Sequence, residues 1–349
     1  MNLKRLFALS LTLILAFSLA FDIAQAEPQK KNQKKEQTPQ LILPTDVKAL
    51  LEQGLATRQV KPDLPFSFSD LYILPAKGTY IAIFITKIKN SDLDYTQIAT
   101  SGDSYQAEAD IFFQIYQAEG DTPKLYTENK AYDLCTIPAS EYNPEAVSYY
   151  YLGYPLPAGK YILAAAIGNR NTKKLGTTYY EFEIPDYEKA AQRGQLQTTS
   201  LFLLKKYEQL AAQENYPNFH KDYFVWMILK AYPYAELKLR PGEQPTLLFM
   251  IYGAQFNENQ TVSIEINFEL WKDDTKLVAF TPMTYESPFI EQPIPIPDSK
   301  QVKITDEKGE ERIERRPLEA GNYELVVNIK DNLSNRTLEK KIPFELVIE

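Results

Sequence analysis

The 349-residue chain is 44% apolar and 24% charged, a globular mixture that excludes a wholly disordered or fibrous protein and leaves room for roughly two domains. Its net charge of −8 argues against general nucleic-acid binding and against charge-driven attachment to an anionic bilayer, both of which need clustered Lys and Arg. The 24 Tyr and 18 Phe favour strands, on whose half-buried surfaces aromatic side chains pack well.

At the N-terminus, Lys4 and Arg5 precede an apolar run over residues 6–21, and Ala24-Gln25-Ala26 supplies a small-x-small ending. This is the pattern of a secretory signal peptide over residues 1–26. An uncleaved anchor is the competing reading. The run is at the short edge for a bilayer span, and its ending favours cleavage. The mature protein is therefore expected to be periplasmic or secreted, and not membrane-spanning. Cys135 is the single cysteine, so an internal disulfide is excluded and burial must hold the domains together. That suits a bacterial envelope or exterior better than a typical eukaryotic ectodomain. Cys135 itself is expected to be a buried apolar residue rather than a reactive thiol.

Residues 27–44 are polar and basic and read as a disordered tether. Thr45-Asp46 can cap a short helix that places Val47, Leu50, Leu51 and Leu55 on one face. From Ser67 the pattern becomes strand-like, with apolar runs at 80–85, 109–116, 161–167 and 179–184. Asp186 to Gly194 has a helix start and stop for one or two turns, and is the best domain junction. Residues 199–204 read as a strand, with a helix over 201–212 as the alternative. Further strands are expected at 223–229, 235–239, 246–252, 262–271, 277–280, 322–329 and 341–348. The charged stretch 298–316 is expected to be an exposed hairpin or loop. The domains are then a helix plus sandwich over 45–186, a linker with a short helix over 187–215, and a second sandwich over 216–349.

An internal repeat supports two related domains. The stretch from Pro155 to Leu163 (PLPAGKYIL) matches that from Pro317 to Leu325 (PLEAGNYEL), at an offset of 162 positions. The match extends without a gap over 155–184 and 317–346. Gly159 and Gly321 stand where a turn enters a strand, a position that often needs positive φ. Tyr161, Leu163, Ala165 and Ile167 line one face of the first strand, as Tyr323, Leu325, Val327 and Ile329 do in the second. Each copy continues into a second strand, making a terminal hairpin. Residues 112–116 (FFQIY) also resemble 267–271 (NFELW), and 80–85 resemble 246–251.

The L-x-x-G-x-Y entry into an alternating strand resembles the tyrosine-corner region of immunoglobulin-like and fibronectin type III-like sandwiches. The resemblance implies a mainly all-β chain of two tandem Ig-like antiparallel sandwiches, with a short N-terminal helix and a short interdomain helix. It implies no ligand. The antibody-type cysteine pair is absent.

No catalytic constellation is legible. His220 is the only histidine, and no G-x-S-x-G motif surrounds a serine. One His and one Cys cannot assemble the usual zinc site. Asp273-Asp274 and the Asp92/Asp94 pair could meet calcium, but solvated acidic turns are the more common outcome. No cofactor is expected. The aromatic cluster Tyr149, Tyr150, Tyr151 and Tyr154, with Trp226, Tyr232 and Tyr234, is the candidate ligand contact; core and cross-strand packing is the plainer role for each ring. Three functions follow. The leading one is a non-catalytic envelope or extracellular protein whose sandwiches present loops or a strand edge to a protein partner. The second is glycan binding by exposed Tyr and Trp. The third is a carboxylate-dependent hydrolase with a cleft between domains.

Overall fold

The computed structural model describes residues 44–98, 102–120, 122–305 and 311–348. The expected signal peptide, and the tether up to residue 43, lie outside these. The chain is mainly β. After helix α1 (Thr45–Leu55) come β1 (Ser67–Ala76), β2 (Thr79–Lys89), β3 (Thr96–Gln97), β4 (Ser104–Gln117), β5 (Lys124–Pro138), β6 (Val147–Leu156), β7 (Gly159–Asn169) and β8 (Leu175–Ile184). Helix α2 (Tyr187–Gln192) and the short β9 (Gln197–Thr198) follow. Then come β10 (Phe202–Gln209), β11 (Asn218–Lys221), β12 (Phe224–Trp226), β13 (Leu229–Pro233) and β14 (Lys238–Leu239). The remainder is β15 (Thr246–Tyr252), β16 (Ile264–Lys272), β17 (Thr275–Ala279), β18 (Met283–Tyr285), β19 (Phe289–Pro293), β20 (Ser299–Thr305), β21 (Glu311–Pro317), β22 (Gly321–Asp331) and β23 (Arg336–Leu346).

Two sheets enclose the first core. One has the order β1-β2-β6-β11; in the other, β4 lies between β5 and the β7-β8 hairpin. Alternation puts Ala82, Phe84, Tyr150 and Leu152 from one sheet against Ile111, Phe113, Leu163 and Ala165 from the other. A second pair of sheets, β12-β13-β10-β15-β19 and β14-β23-β22-β16-β17, encloses a core of Leu247, Phe249, Ile266, Phe268, Leu325 and Val327 among others. Helix α1 lays Val47 and Leu51 on Ile162, Ala164 and Ala166, on the outside of the first pair. Its N-cap is Pro44 rather than a Thr or Asp side chain. Helix α2 is capped as expected: the Asp186 carboxylate accepts from Lys189 N–H at 2.8 Å, and Gly194 adopts φ +75°.

The repeated segment is repeated in structure. Gly159 and Gly321 have φ of +154° and +136°, a region closed to most L-residues. Tyr161 Oη donates to Pro157 O at 3.1 Å, and Tyr323 Oη donates to Glu319 O at 2.7 Å, the same four-residue return in both copies. Each ring stacks on the next strand's Phe: Tyr161 on Phe182 at 5.4 Å and Tyr323 on Phe344 at 5.7 Å. Tyr116 pairs with Ile162 as Trp271 pairs with Glu324, so the register reproduces the weaker 112–116/267–271 match residue for residue. Tyr323→Phe keeps the ring but removes the donor to the Glu319 carbonyl. We expect it to cost about 1–2 kcal/mol, read as a lowered urea midpoint with an unchanged m-value.

The two sheet pairs are joined by more than a linker. Tyr72, Leu74, Ile81, Ile83, Tyr149 and Tyr151 are buried but belong to neither core. They occupy the other face of β1, β2 and β6, where Tyr72 stacks on Phe202 at 5.3 Å and Tyr151 lies 6.1 Å from Phe224. A sheet buried on both faces explains why 80–85 reads as a continuous apolar run instead of an alternating one. β10 pairs with β15 over residues 202–204, then turns away at a bulge and runs with β13. Asn218–Lys221, expected at the head of the second domain, pair with β6 of the first sheet. The expected strand at 223–229 is split by Met227 at φ +55°, and the one at 235–239 shrinks to β14 after Leu237 at φ +49°. β14 runs parallel to β23. Within the charged stretch 298–316, β20 and β21 pair antiparallel. All described residues belong to one compact unit.

Candidate functional site

A cleft of about 590 Å³ opens where β6, the joining segment and the entry to β14 meet. Alternation along β6 turns Tyr149 and Tyr151 toward it while Tyr150 and Leu152 enter the first core. Tyr234 and Glu236 come from the turn after β13, Lys205 from β10, Asp222 from the turn after β11, and Lys238 and Arg240 from β14 and its exit.

The charges in the cleft are arranged unevenly. Glu236 accepts from Tyr149 Oη at 3.0 Å and pairs with Lys238 at 2.6 Å. The hydrogen bond from Lys238, reinforced by Tyr149, holds the Glu236 carboxyl below the usual carboxylate range despite partial burial. Asp222 pairs with Lys221, and Glu243 accepts from Arg240 N–H at 3.0 Å. Burial, then the Glu243 charge, pushes the Tyr234 phenol up to about 12, so it stays a neutral donor. Against these matched groups stand two unmatched ones. Lys205 Nζ lies 5.5 Å from the Tyr234 ring centroid and pairs with no carboxylate among the described residues. Tyr151 is 1% exposed and its hydroxyl has no hydrogen-bond partner among the described residues. A buried hydroxyl left unpaired is costly and invites an acceptor.

The structure thus gathers three of the seven candidate aromatics, Tyr149, Tyr151 and Tyr234. The other four lie elsewhere. Tyr150 is fully buried, hydrogen-bonded to Tyr95 at 2.8 Å and stacked on Phe219. Tyr154 packs edge-on to Phe113 and bonds Thr127. Trp226 is buried in the junction and donates to Pro75 O at 2.8 Å. Tyr232 is half-buried, with Lys206 Nζ 4.4 Å from its ring centroid. Backbone alternation sends neighbouring tyrosines of β6 to opposite faces, and lysine ammonium groups lie within 4.4–5.7 Å of the ring centroids of Tyr149, Tyr232 and Tyr234.

The remaining candidates are plain. His220 bonds Glu214 at 2.8 Å and stacks on Tyr223 at 4.4 Å. Cys135 is buried, and burial followed by the Asp133 charge pushes its thiol well above the ordinary range. Asp94 pairs with Lys174. No group of three or more His, Cys, Asp or Glu side chains converges among the described residues. Lys205, Glu236 and Lys238 carried no sequence signal, since each is an ordinary charged residue until the chain path brings it to the cleft.

No family model and no curated protein matches this chain. Among solved structures it is similar to a Salmonella alpha-2-macroglobulin mutant, at 10% identity over 82% of this chain and 16% of that one, with a TM-score of 0.16. That likeness is too slight to carry an argument. Among the described residues no helix is long and apolar enough to cross a membrane.

Proposed function

We propose that the chain is an exported, non-catalytic binding protein of the cell envelope, built from two tandem immunoglobulin-like sandwiches, which takes a carboxylate-bearing segment of a protein partner in the cleft. The strand orders β1-β2-β6 and β5-β4-β7-β8, repeated as β10-β15-β19 and β17-β16-β22-β23, support the immunoglobulin-like reading. So do the paired Tyr161 and Tyr323 hydrogen bonds. The observation that carries the binding reading is the Lys205 ammonium, which pairs with no carboxylate among the described residues, in a wall whose carboxylates are already engaged. A carboxylate supplies the counter-charge that the Lys205 ammonium lacks. Glu236, tied to Lys238 and Tyr149 and held below the usual carboxylate range, is poorly suited to act as the acid that hydrolysis by paired carboxylates needs.

The test uses a fluorescent tetraglutamate peptide, with tetraglutamine as control. The acidic peptide should bind with an affinity that falls with added salt, and Lys205→Glu should weaken it by about tenfold or more, roughly 1.4 kcal/mol. Equal binding of the neutral peptide, or indifference to Lys205→Glu, would remove the proposal.

A further inference from the structure

Strand β5 runs for fifteen residues, Lys124–Pro138, and pairs with β4 along one side only. Long open edges of this kind template further strand pairing unless something blunts them. Lys221 of β11 reaches the far end of β5 through the Asp133 carboxylate, and the stretch before it carries no neighbour strand among the described residues. Of the ten large apolar residues exposed among the described ones, Leu125, Tyr126, Tyr132 and Leu134 lie on this strand, each 40–48% exposed. That concentration on one edge marks an interaction surface rather than scattered surface apolarity.

The charges on the same edge say what it fits. Glu128 and Lys130 are two residues apart and so share the outer face of the sheet. Lys48 of α1 takes one carboxylate oxygen of Glu128, Oε2, at 2.9 Å, and the other, Oε1, has no ion-pair partner among the described residues. Lys130 pairs with no carboxylate among the described residues. An antiparallel strand centred on Asn129 that is β5 itself would set each Glu128 opposite the partner's Lys130, and each Thr127 opposite the partner's Ala131. Two ion pairs then form by symmetry, and Tyr132 of each copy meets the bulged Leu125–Tyr126 step of the other.

We propose that the β5 edge pairs with β5 of a second copy of this chain, in antiparallel register about Asn129, joining two sheets into one across a two-fold axis. This rests on the strand edge alone and is independent of what the cleft binds. Strand pairing without a broad apolar core gives a weak dimer, so dissociation in the micromolar range is expected.

Sedimentation velocity of the full chain between about 1 μM and about 1 mM reads the outcome. Wild type should pass from monomer to dimer across this range. Lys130→Glu sets like charges opposite each other twice and should weaken the dimer by about tenfold or more. Adding Glu128→Lys to it restores opposite charges and should recover most of the loss. Asn129→Cys should give a reducible cross-linked dimer, which the buried Cys135 cannot. Circular dichroism establishes that each variant is folded. A chain that stays monomeric throughout, or a dimer indifferent to Lys130→Glu, overturns the proposal.

Discussion

Trp226→Ala is expected to destabilise the protein by about 3–5 kcal/mol, the usual range for removing a buried indole from a packed site. Trp226 is 3% exposed, donates to Pro75 O at 2.8 Å, and lies 5.9 Å from Phe289. It therefore ties β12 to the end of β1 on one side and to β19 on the other. Removing it leaves a cavity and an unpaired carbonyl in the layer between the sheet pairs. The variant should also lose peptide binding in the cleft, because the joining segment that carries Asp222, Tyr234 and Glu236 is anchored by this contact. Trp226→Phe should fall between wild type and Ala, since it keeps one aromatic ring but loses the donor and part of the buried volume. Urea unfolding measures the first effect and the peptide titration the second.

Asp331→Ala should be comparably damaging. The Asp331 side chain is fully buried, and its two oxygens accept from Gln255 N–H at 2.9 Å, Leu333 N–H at 3.1 Å and the Ser334 hydroxyl at 2.5 Å. Truncation leaves these donors unmatched at about 1–3 kcal/mol each, so a total near 3–5 kcal/mol is expected. The repeat-equivalent residue is Asn169, also buried, which accepts from Asn171 and Thr172 N–H in the same manner. The difference between the two is chemical. Asn169 faces the Leu93 carbonyl and needs a donor; Asp331 faces the Gln255 N–H and needs an acceptor. Asp331→Asn and Asn169→Asp should therefore both be destabilising although each is isosteric.

The Asp331 site also sets a pH dependence. Burial alone would raise this carboxyl, but the Ser334, Gln255 and Leu333 donors outweigh it and hold the carboxyl below its ordinary value. A group depressed in the folded state stabilises fully above its unfolded pKa of about 3.9, and that contribution disappears as pH falls through the folded value. Wild type should thus lose stability on acidification below about pH 4, and Asp331→Asn should lose less over the same interval.

The hairpin and its register were legible in the sequence because a turn glycine, a tyrosine and an alternating strand recur at one spacing. Gly159 and Gly321 behave as their position predicts, and the Tyr161 and Tyr323 bonds follow. The joining segment was not legible. Its strands are three to five residues long from β11 to β13, too short for periodicity, and Asp222, Met227 and Leu237 take left-handed conformations with no glycine to announce them. The run at 80–85 did hold a clue. Both faces are apolar, which in an antiparallel sheet means a second layer must cover the outer one. The cleft was half legible, through Tyr149, Tyr151 and Tyr234. Its ionic members come from β10, two turns and β14, and only the tertiary path brings them together.

The segment from Lys205 to Glu236 packs on the outer face of β1, β2 and β6 and ties the two sheet pairs together, and so builds the cleft. Native-state hydrogen exchange tests it most directly, by comparing slow amides of β6 in the first pair with those of β22 in the second. Wild type should show one shared free energy of global opening, with Trp226→Ala lowering both strands together. Two separate opening energies in wild type, with only one of them moved by Trp226→Ala, would contradict it.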